Sequence, residues 1–344
     1  MGERILQAGF GNRGRMWARI IAELPDIAIA ALVDPDPQAR ADFEAGHPDV
    51  PTFPQLGAAL AAGPYDMALL VTPPDGHLDQ AGAVFGAELP LLAEKPLALD
   101  LAEAREIVRM AEEAKLPLTV GLNFRYLPVT RKLRGLIAEQ AVGEPGFGQF
   151  VYQRNRDGRR PGLNKYPLTM RHPMMLEQTI HHLDLIRYAY GREALRVMCK
   201  TWNPSWSMYA HDSNVHCLLT LEGGLAVNYF GSWTGGWNQL QFLWRTDCAD
   251  GVILQRELFS DLAVARTDDA EPTPVPLPEA KPFHDDTKAL LEAFLGALRN
   301  GTAAPCSGRD HLQTLALCFA AIESAETGRE VDMQAFGRRH RIEA

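Results

Sequence analysis

GFGNRG, residues 9 to 14, follows the short apolar run Arg4 to Gly9 and opens an amphipathic stretch with Trp17, Ile20, Ile21 and Leu24 at i, i+3, i+4 and i+7. That is strand, glycine turn, helix. Gly9 permits the tight turn, Gly11 lets backbone approach a pyrophosphate, and Gly14 lets the helix pack on the strand. The first helical turn then offers N–H groups to an anion. Asp34 ends the next apolar run, twenty residues past Gly14, where it is placed to accept hydrogen bonds from adenosine ribose hydroxyls. A 2′-phosphate there would meet the like charge of Asp36, so NAD is preferred. Arg13, Arg15 and Arg40 keep NADP possible, since a guanidinium offsets that repulsion. A strand-to-helix turn without a ligand uses the same glycines, but the flanking strand, helix and Asp34 favour the nucleotide.

The pattern extends outward from this loop. Ile27 to Val33, Met67 to Thr72, Pro90 to Lys95 and Leu118 to Leu122 are short apolar runs with little alternation, as expected of strands buried on both faces. Amphipathic stretches separate them, one opened by Asp100 with Glu103 as an N-terminal cap. The expected class is therefore α/β, with a doubly wound parallel sheet over residues 1–122. From about residue 145 the segments FGQFVYQRN, LRVMCKTW, VHCLLTL, LAVNYFGSW, LQFLWRT and GVILQREL are rich in β-branched and aromatic residues. Short turns at 222 to 224 and 248 to 251 suggest hairpins, so residues 123–344 are expected to form an α+β domain with a large open, mainly antiparallel sheet. EPTPVPLPEAKP, 271 to 282, reads as a surface connection before two terminal helices.

Composition narrows the function classes. The chain has 344 residues, is 46% hydrophobic and carries net charge -9, which favours two domains and argues against nucleic acid or an anionic membrane as partner. A small molecule is the expected partner. Five scattered cysteines without a CxxC pair read as free thiols in a reducing compartment, and no basic leader or long apolar stretch precedes the first strand, so a cytoplasmic protein is expected.

Two further stretches carry chemistry. AEKPL, 93 to 97, ends a strand at the carboxyl edge of the sheet, where ligands of such folds bind. Strand alternation would turn Glu94 and Lys95 to opposite faces. A lysine beside an oxidised nicotinamide would take a proton more readily from an alcohol, because nearby positive charge and burial both lower its pKa. In MLEQTIHHLDLIRYAYG, 175 to 191, a step of about 100° per residue puts Glu177, His181 and Asp184 on one helical face and turns His182 away. Three readings stay open. A metal would need a further ligand that no typical spacing supplies, so none is expected. A core helix would bury Met174, Met175, Ile180, Leu183, Leu185 and Ile186. An acid or base at His181 would have Glu177 one turn away to orient the ring or raise its pKa.

GFGNRG, Asp34, TPP at 72 to 74, EKP at 94 to 96, NFRY at 123 to 126, the helix with Glu177, His181 and Asp184, and the tail ESAETGREV together resemble the Gfo/Idh/MocA oxidoreductases, nearly end to end. The resemblance implies an N-terminal Rossmann domain and a C-terminal domain whose open sheet makes homodimer or homotetramer contacts. It implies a nicotinamide cofactor held by Gly9, Phe10, Gly11, Asn12, Arg13 and Gly14, by Asp34, Thr72, Pro73 and His77, and by Glu94, Lys95 and Asn123. It also implies catalysis by Lys95, near the reacting carbon, and by His181, exchanging a proton with the substrate, with Glu177 beside it. Many members carry aspartate where this chain has Glu177, which moves the carboxylate by one methylene.

Substrate contacts are expected from Arg125 and Tyr126, which follow Asn123 at the domain junction, and are considered for Asp184, for which a structural hydrogen-bond role is favoured. RNRDGRRPGLNKYPLTMR, 154 to 171, sets six basic residues against one acid, and Arg154 and Lys165 are its candidates for binding an acidic sugar. A solvated loop or a subunit contact is the competing use. Trp233 and Trp237 could stack on a sugar ring or bury in the sheet. The expected reaction is hydride transfer between nicotinamide and a secondary alcohol or ketone of a sugar, sugar acid or cyclitol. The alternatives are an NAD-retaining glycoside hydrolase that uses transient oxidation, and a dinucleotide-sensing regulator without chemistry.

Overall fold

The computed structural model describes residues 2 to 342. They form two compact units, one of residues up to 123 with 283–312, the other of residues 124–282 with those from 313 on. The chain passes from one unit to the other after Asn123, after Pro282 and after Leu312.

The first unit runs β1 (Glu3–Ala8), α1 (Asn12–Ala22), β2 (Ile27–Val33), α2 (Pro37–Glu44), β3 (Thr52–Phe53), α3 (Leu56–Ala61), β4 (Met67–Leu70), α4 (His77–Gly86), β5 (Leu91–Ala93), α5 (Leu101–Ala114) and β6 (Leu118–Val120). Its six strands are parallel in the order β3-β2-β1-β4-β5-β6. The order reverses between β1 and β4, the switch point at which such sheets bind ligands. β4, β5 and β6 are buried at every position, which is why they read as continuous apolar runs. Asp100 caps α5 by accepting from the N–H groups of Ala102 and Glu103.

The second unit contains α6 (Pro128–Ala138), β7 (Pro145–Gln153), α7 (Ile180–Tyr190), β8 (Ala194–Trp202), β9 (Asn214–Leu221), β10 (Ala226–Ser232), β11 (Gln241–Cys248), β12 (Gly251–Glu257), β13 (Ser260–Arg266) and β14 (Thr273–Pro274). Next in the chain come α8 (Asp285–Asn300) and α9 (Gly308–Thr327), then β15 (Val331–Asp332) and α10 (Met333–His340). α8 belongs to the first unit, where Leu291, Phe294 and Leu295 join a core cluster with Trp17 and Ile21. Its apolar positions at i, i+3 and i+4 announce a buried face but not the surface that covers it.

The nine strands of the second unit lie in the order β14-β13-β12-β11-β7-β10-β9-β8-β15, all antiparallel except the β7–β10 pair. The two expected turns join β9 to β10 and β11 to β12, the first with positive φ at Gly223 and Gly224. Phe150, Tyr152, Tyr229 and Trp244 are buried on one face of the sheet. The six apolar residues expected to pack from the Met174 to Ile186 stretch are also buried, each at most 3% exposed.

His182 lies among them. Its ring nitrogens lie 3.0 Å from Gln178 Nε2 and 2.9 Å from the Tyr229 hydroxyl, which in turn lies 2.8 Å from Thr179 Oγ1. The chain closes with a neutral ring that accepts from Gln178 and donates to Tyr229. Burial pushes the imidazole pKa from 6.5 down to about 3. The unfolded chain therefore binds this proton more tightly, so stability present above about pH 6.5 is lost as pH falls toward 3, by up to about 1.4 kcal/mol per pH unit. His182→Gln is expected to flatten the fall in melting temperature between about pH 6 and pH 4, as thermal scans across that range would show. An unchanged slope would remove His182 as its source.

No helix among the described residues is long and apolar enough to cross a membrane.

Candidate functional site

The glycine loop is fixed from beneath. Gln7, fully buried on β1, donates through Nε2 to the carbonyls of Gly9 and Gly14, at 2.9 and 3.0 Å. Gly9 has φ +99, and a Cβ there would lie 2.4 Å from the Val71 carbonyl oxygen; one on Gly14 would lie 2.3 Å from that of Gly9. A Cβ on Gly11 would meet nothing within 4 Å. Gly11 is also the N-cap of α1 and makes no side-chain cap bond. The open approach to the N-terminus of α1 suits a pyrophosphate. Asp34 accepts from the N–H groups of Phe10, at 2.7 Å, and Asp36, at 2.9 Å, one on each carboxylate oxygen. A carboxylate offers about four acceptor positions, so lone pairs remain for ribose hydroxyls. On this geometry the residues present fit a dinucleotide.

The three arginines weighed for NADP have other partners. Arg13 donates to Glu94 at 2.5 Å, Arg15 donates to Asp42 at 2.6 Å and lies over the Phe10 ring, and Arg40 donates to the carbonyls of Asp34 and Pro35.

Beyond the carboxyl ends of β4, β5 and β6, the loops are laced together. Both ring nitrogens of His77 lie 3.1 Å from carbonyl oxygens, those of Leu97 and Thr72. Burial pushes its pKa down. His77 thus lies between the Thr72–Pro73 turn and the Lys95–Leu97 turn, its neutral ring donating to one of the two carbonyls. The Thr72 hydroxyl donates to Gln80 at 2.5 Å. Glu94 and Lys95 do not lie on a strand, because β5 stops at Ala93, so the expected alternation does not apply to them. The Glu94 carboxylate also accepts from the Trp17 indole at 2.7 Å, and is 8% exposed. Lys95 is half-buried and its bond to Pro96 is cis. Asn123 donates to Asp286.

In the second unit the helix with the two histidines starts differently from expectation. Met174 to Thr179 form a π-helical turn, and regular α-helix begins at Ile180. The 100° step therefore fails at Glu177, although it holds from His181 to Asp184. Such wide turns recur at functional sites. Glu177 accepts a hydrogen bond from the Tyr166 hydroxyl. His181, 9% exposed, stacks on Phe124 with ring centroids 4.5 Å apart.

Arg125 and Asp184 are joined to each other. Arg125 Nε donates to Asp184 at 2.8 Å, and a second guanidinium nitrogen makes the parallel bond. Thr314 donates to Asp184 at 2.9 Å and accepts from Arg187, whose guanidinium also makes two bonds to Glu193. This network accounts for Asp184 as a structural partner and turns Arg125 toward it, unlike the substrate contacts expected of Arg125 and considered for Asp184. The Tyr126 ring lies under Arg131.

In the basic stretch, Lys165 donates to the carbonyls of Gly158 and Arg160, closing its own loop. Arg156 lies 4.3 Å over the Trp233 ring, which is 2% exposed, whereas Trp237 is 61% exposed. Arg154 continues from β7, its backbone N–H donating to Ser232. Among the described residues no group of three His, Cys, Asp or Glu side chains is arranged to hold a metal ion.

The sequence reading missed Gln7, Trp17, Gln80 and Asp286. Gln7 alone had a signal, a polar residue inside an apolar strand.

Residues 4–122 match the model of an oxidoreductase family with an NAD-binding Rossmann fold, and residues 130–248 match the GFO/IDH/MocA C-terminal domain. A D-apiose dehydrogenase of Paraburkholderia graminis is 26% identical over 96% of this chain and 89% of its own length. The rhizopine catabolism protein MocA of Rhizobium meliloti is 28% identical over 93% of this chain and 94% of its own. An oxidoreductase from Agrobacterium radiobacter, solved with NAD+, L-tartaric acid and magnesium, shares the fold with a TM-score of 0.89 at 23% identity, over 97% of this chain and 99% of that one.

Proposed function

This chain belongs to the GFO/IDH/MocA family of NAD-binding oxidoreductases, and from that premise we propose that it interconverts a secondary alcohol and a ketone on a sugar, sugar acid or cyclitol, with NAD preferred to NADP. The observation that carries the proposal is the glycine loop, where open space over Gly11 meets a carboxylate at Asp34 with acceptor capacity to spare. The dehydrogenase among the curated relatives supports the substrate class.

When bound, the nicotinamide supplies the hydride donor or acceptor. Gly9 to Gly14 and Asp34 hold the dinucleotide, and Thr72, Pro73, Glu94 and Asn123 line the path of its other half. His77 acts from its place between those turns. Lys95 hydrogen-bonds the reacting oxygen, and His181 takes the hydroxyl proton during oxidation or returns it during reduction. Glu177, held by Tyr166, is the carboxylate that sets the readiness of His181 to do so. Tyr126, Arg154 and Lys165 are the proposed substrate contacts, and Arg125 acts through its pair with Asp184. The residues after Asn123, apart from 283–312, are proposed as the substrate-binding and oligomerisation domain. Phe147, Met198 and Leu218 are 56%, 40% and 52% exposed on the sheet, which supports self-association as a homodimer or homotetramer.

The test is absorbance at 340 nm with NAD and then NADP, against hexoses, pentoses, uronic and aldonic acids and inositols. Growth of signal with one group and NAD is expected. A flat panel from protein that binds NADH would overturn net dehydrogenation and make glycoside cleavage the next assay.

A further inference from the structure

Asn123 follows β6, on the side of the β1/β4 switch point away from Asp34. In a dinucleotide laid across that point, Asp34 marks the adenosine end, so the ends of β5 and β6 face the nicotinamide end. The Asn123 amide has one fixed contact, from Nδ2 to Asp286 Oδ2, while its own oxygen has no partner among the described residues. Asp286 stands in the first turn of α8, 163 positions further on, and is 2% exposed.

An ionised carboxylate only accepts hydrogen bonds. It therefore dictates which end of the amide faces it, since a turned amide would set oxygen against oxygen. The other Asp286 oxygen is buried and makes no hydrogen bond. Burial pushes this carboxyl's pKa up, opposed by the Asn123 amide, by the N–H groups of Asp286 and Phe283 and by the Arg13 guanidinium. A buried carboxylate with one oxygen left unsatisfied is costly, and an orienting role toward the Asn123 amide explains its presence.

We propose that Asp286 is a positioning residue for the cofactor, fixing the Asn123 amide so that its oxygen accepts from the carboxamide NH2 of the nicotinamide. This rests on the reading that Asn123 touches the cofactor. The probe is 3-acetylpyridine adenine dinucleotide, in which a methyl group replaces that NH2. Calorimetric titration of the wild type is expected to show NAD binding about tenfold more tightly than the analogue, a difference of about 1.4 kcal/mol. In Asp286→Ala the NAD affinity falls and the ratio narrows to within about threefold, a residue of about 0.6 kcal/mol. Asp286→Asn keeps the side-chain shape, and so the fold, but pairs with either end of Asn123; it narrows the ratio as well. The wild-type ratio retained in either folded variant, or a wild type that binds both dinucleotides equally, would overturn the inference. A wild type that binds neither would instead overturn the dinucleotide reading on which it rests.

Discussion

Replacing Lys95 with alanine is expected to abolish turnover while NADH affinity stays within about tenfold of wild type, a change of at most about 1.4 kcal/mol. The split follows from where the lysine sits. It lies in the turn after β5, where its neighbours Glu94 and Leu97 have anchors of their own. Glu94 is anchored by Arg13 and Trp17, and Leu97 accepts from or faces the His77 ring while its N–H reaches His311. Those contacts survive the substitution, so the cofactor surface should survive with them. On the proposed role, what disappears is a cation at the reacting oxygen, a contact that strengthens as charge develops there. kcat and kcat/KM should therefore fall together, since the lost interaction belongs to the transition state. Steady-state rates and an NADH fluorescence titration on the same preparation check both halves. Normal turnover would mean that Lys95 lies away from the chemistry; lost NADH binding with residual kcat would make it a cofactor anchor instead.

The nucleotide half of the site was legible because its parts are local. Three glycines, the strand before them, the helix after them and Asp34 all fall between Glu3 and Asp34, and short-range periodicity reports all of them. The parts that escaped depend on partners far along the chain. Asn123 meets Asp286 across 163 positions, Trp17 meets Glu94 across 77, and Arg125 meets Asp184 across 59. Periodicity marks α8 as half-buried but carries no information about which unit covers it, so the return of residues 283–312 to the first unit was invisible. The π turn at Met174 to Thr179 escaped for another reason. Residues with ordinary helix preference fill it, and only the hydrogen-bond pattern distinguishes it from an α-turn.

The same distance problem decides what Asp184 does, and stability measurements separate its two roles. Asp184→Ala is expected to cost about 3–5 kcal/mol, because it leaves the Arg125 guanidinium buried without its carboxylate and takes the acceptor from Thr314. For a unit of this size that corresponds to a fall in melting temperature of roughly 6–20 °C. Asp184 and Arg125 have side chains only 2% and 11% exposed, so water cannot replace the lost partner cheaply. Arg187, 4.0 Å away on the next turn, adds a second cation to the same pocket, although Glu193 already holds it by two bonds. The double variant Arg125→Met with Asp184→Leu should be less destabilised than Asp184→Ala alone, since it removes the orphaned charge and refills the volume. Thermal unfolding of the three proteins tests this directly. Were Asp184 mainly a substrate ligand, the alanine variant would melt near the wild-type temperature and show its loss in KM. A single variant with unchanged melting would therefore move Asp184 from the structural network into the binding site, and free Arg125 to join it there.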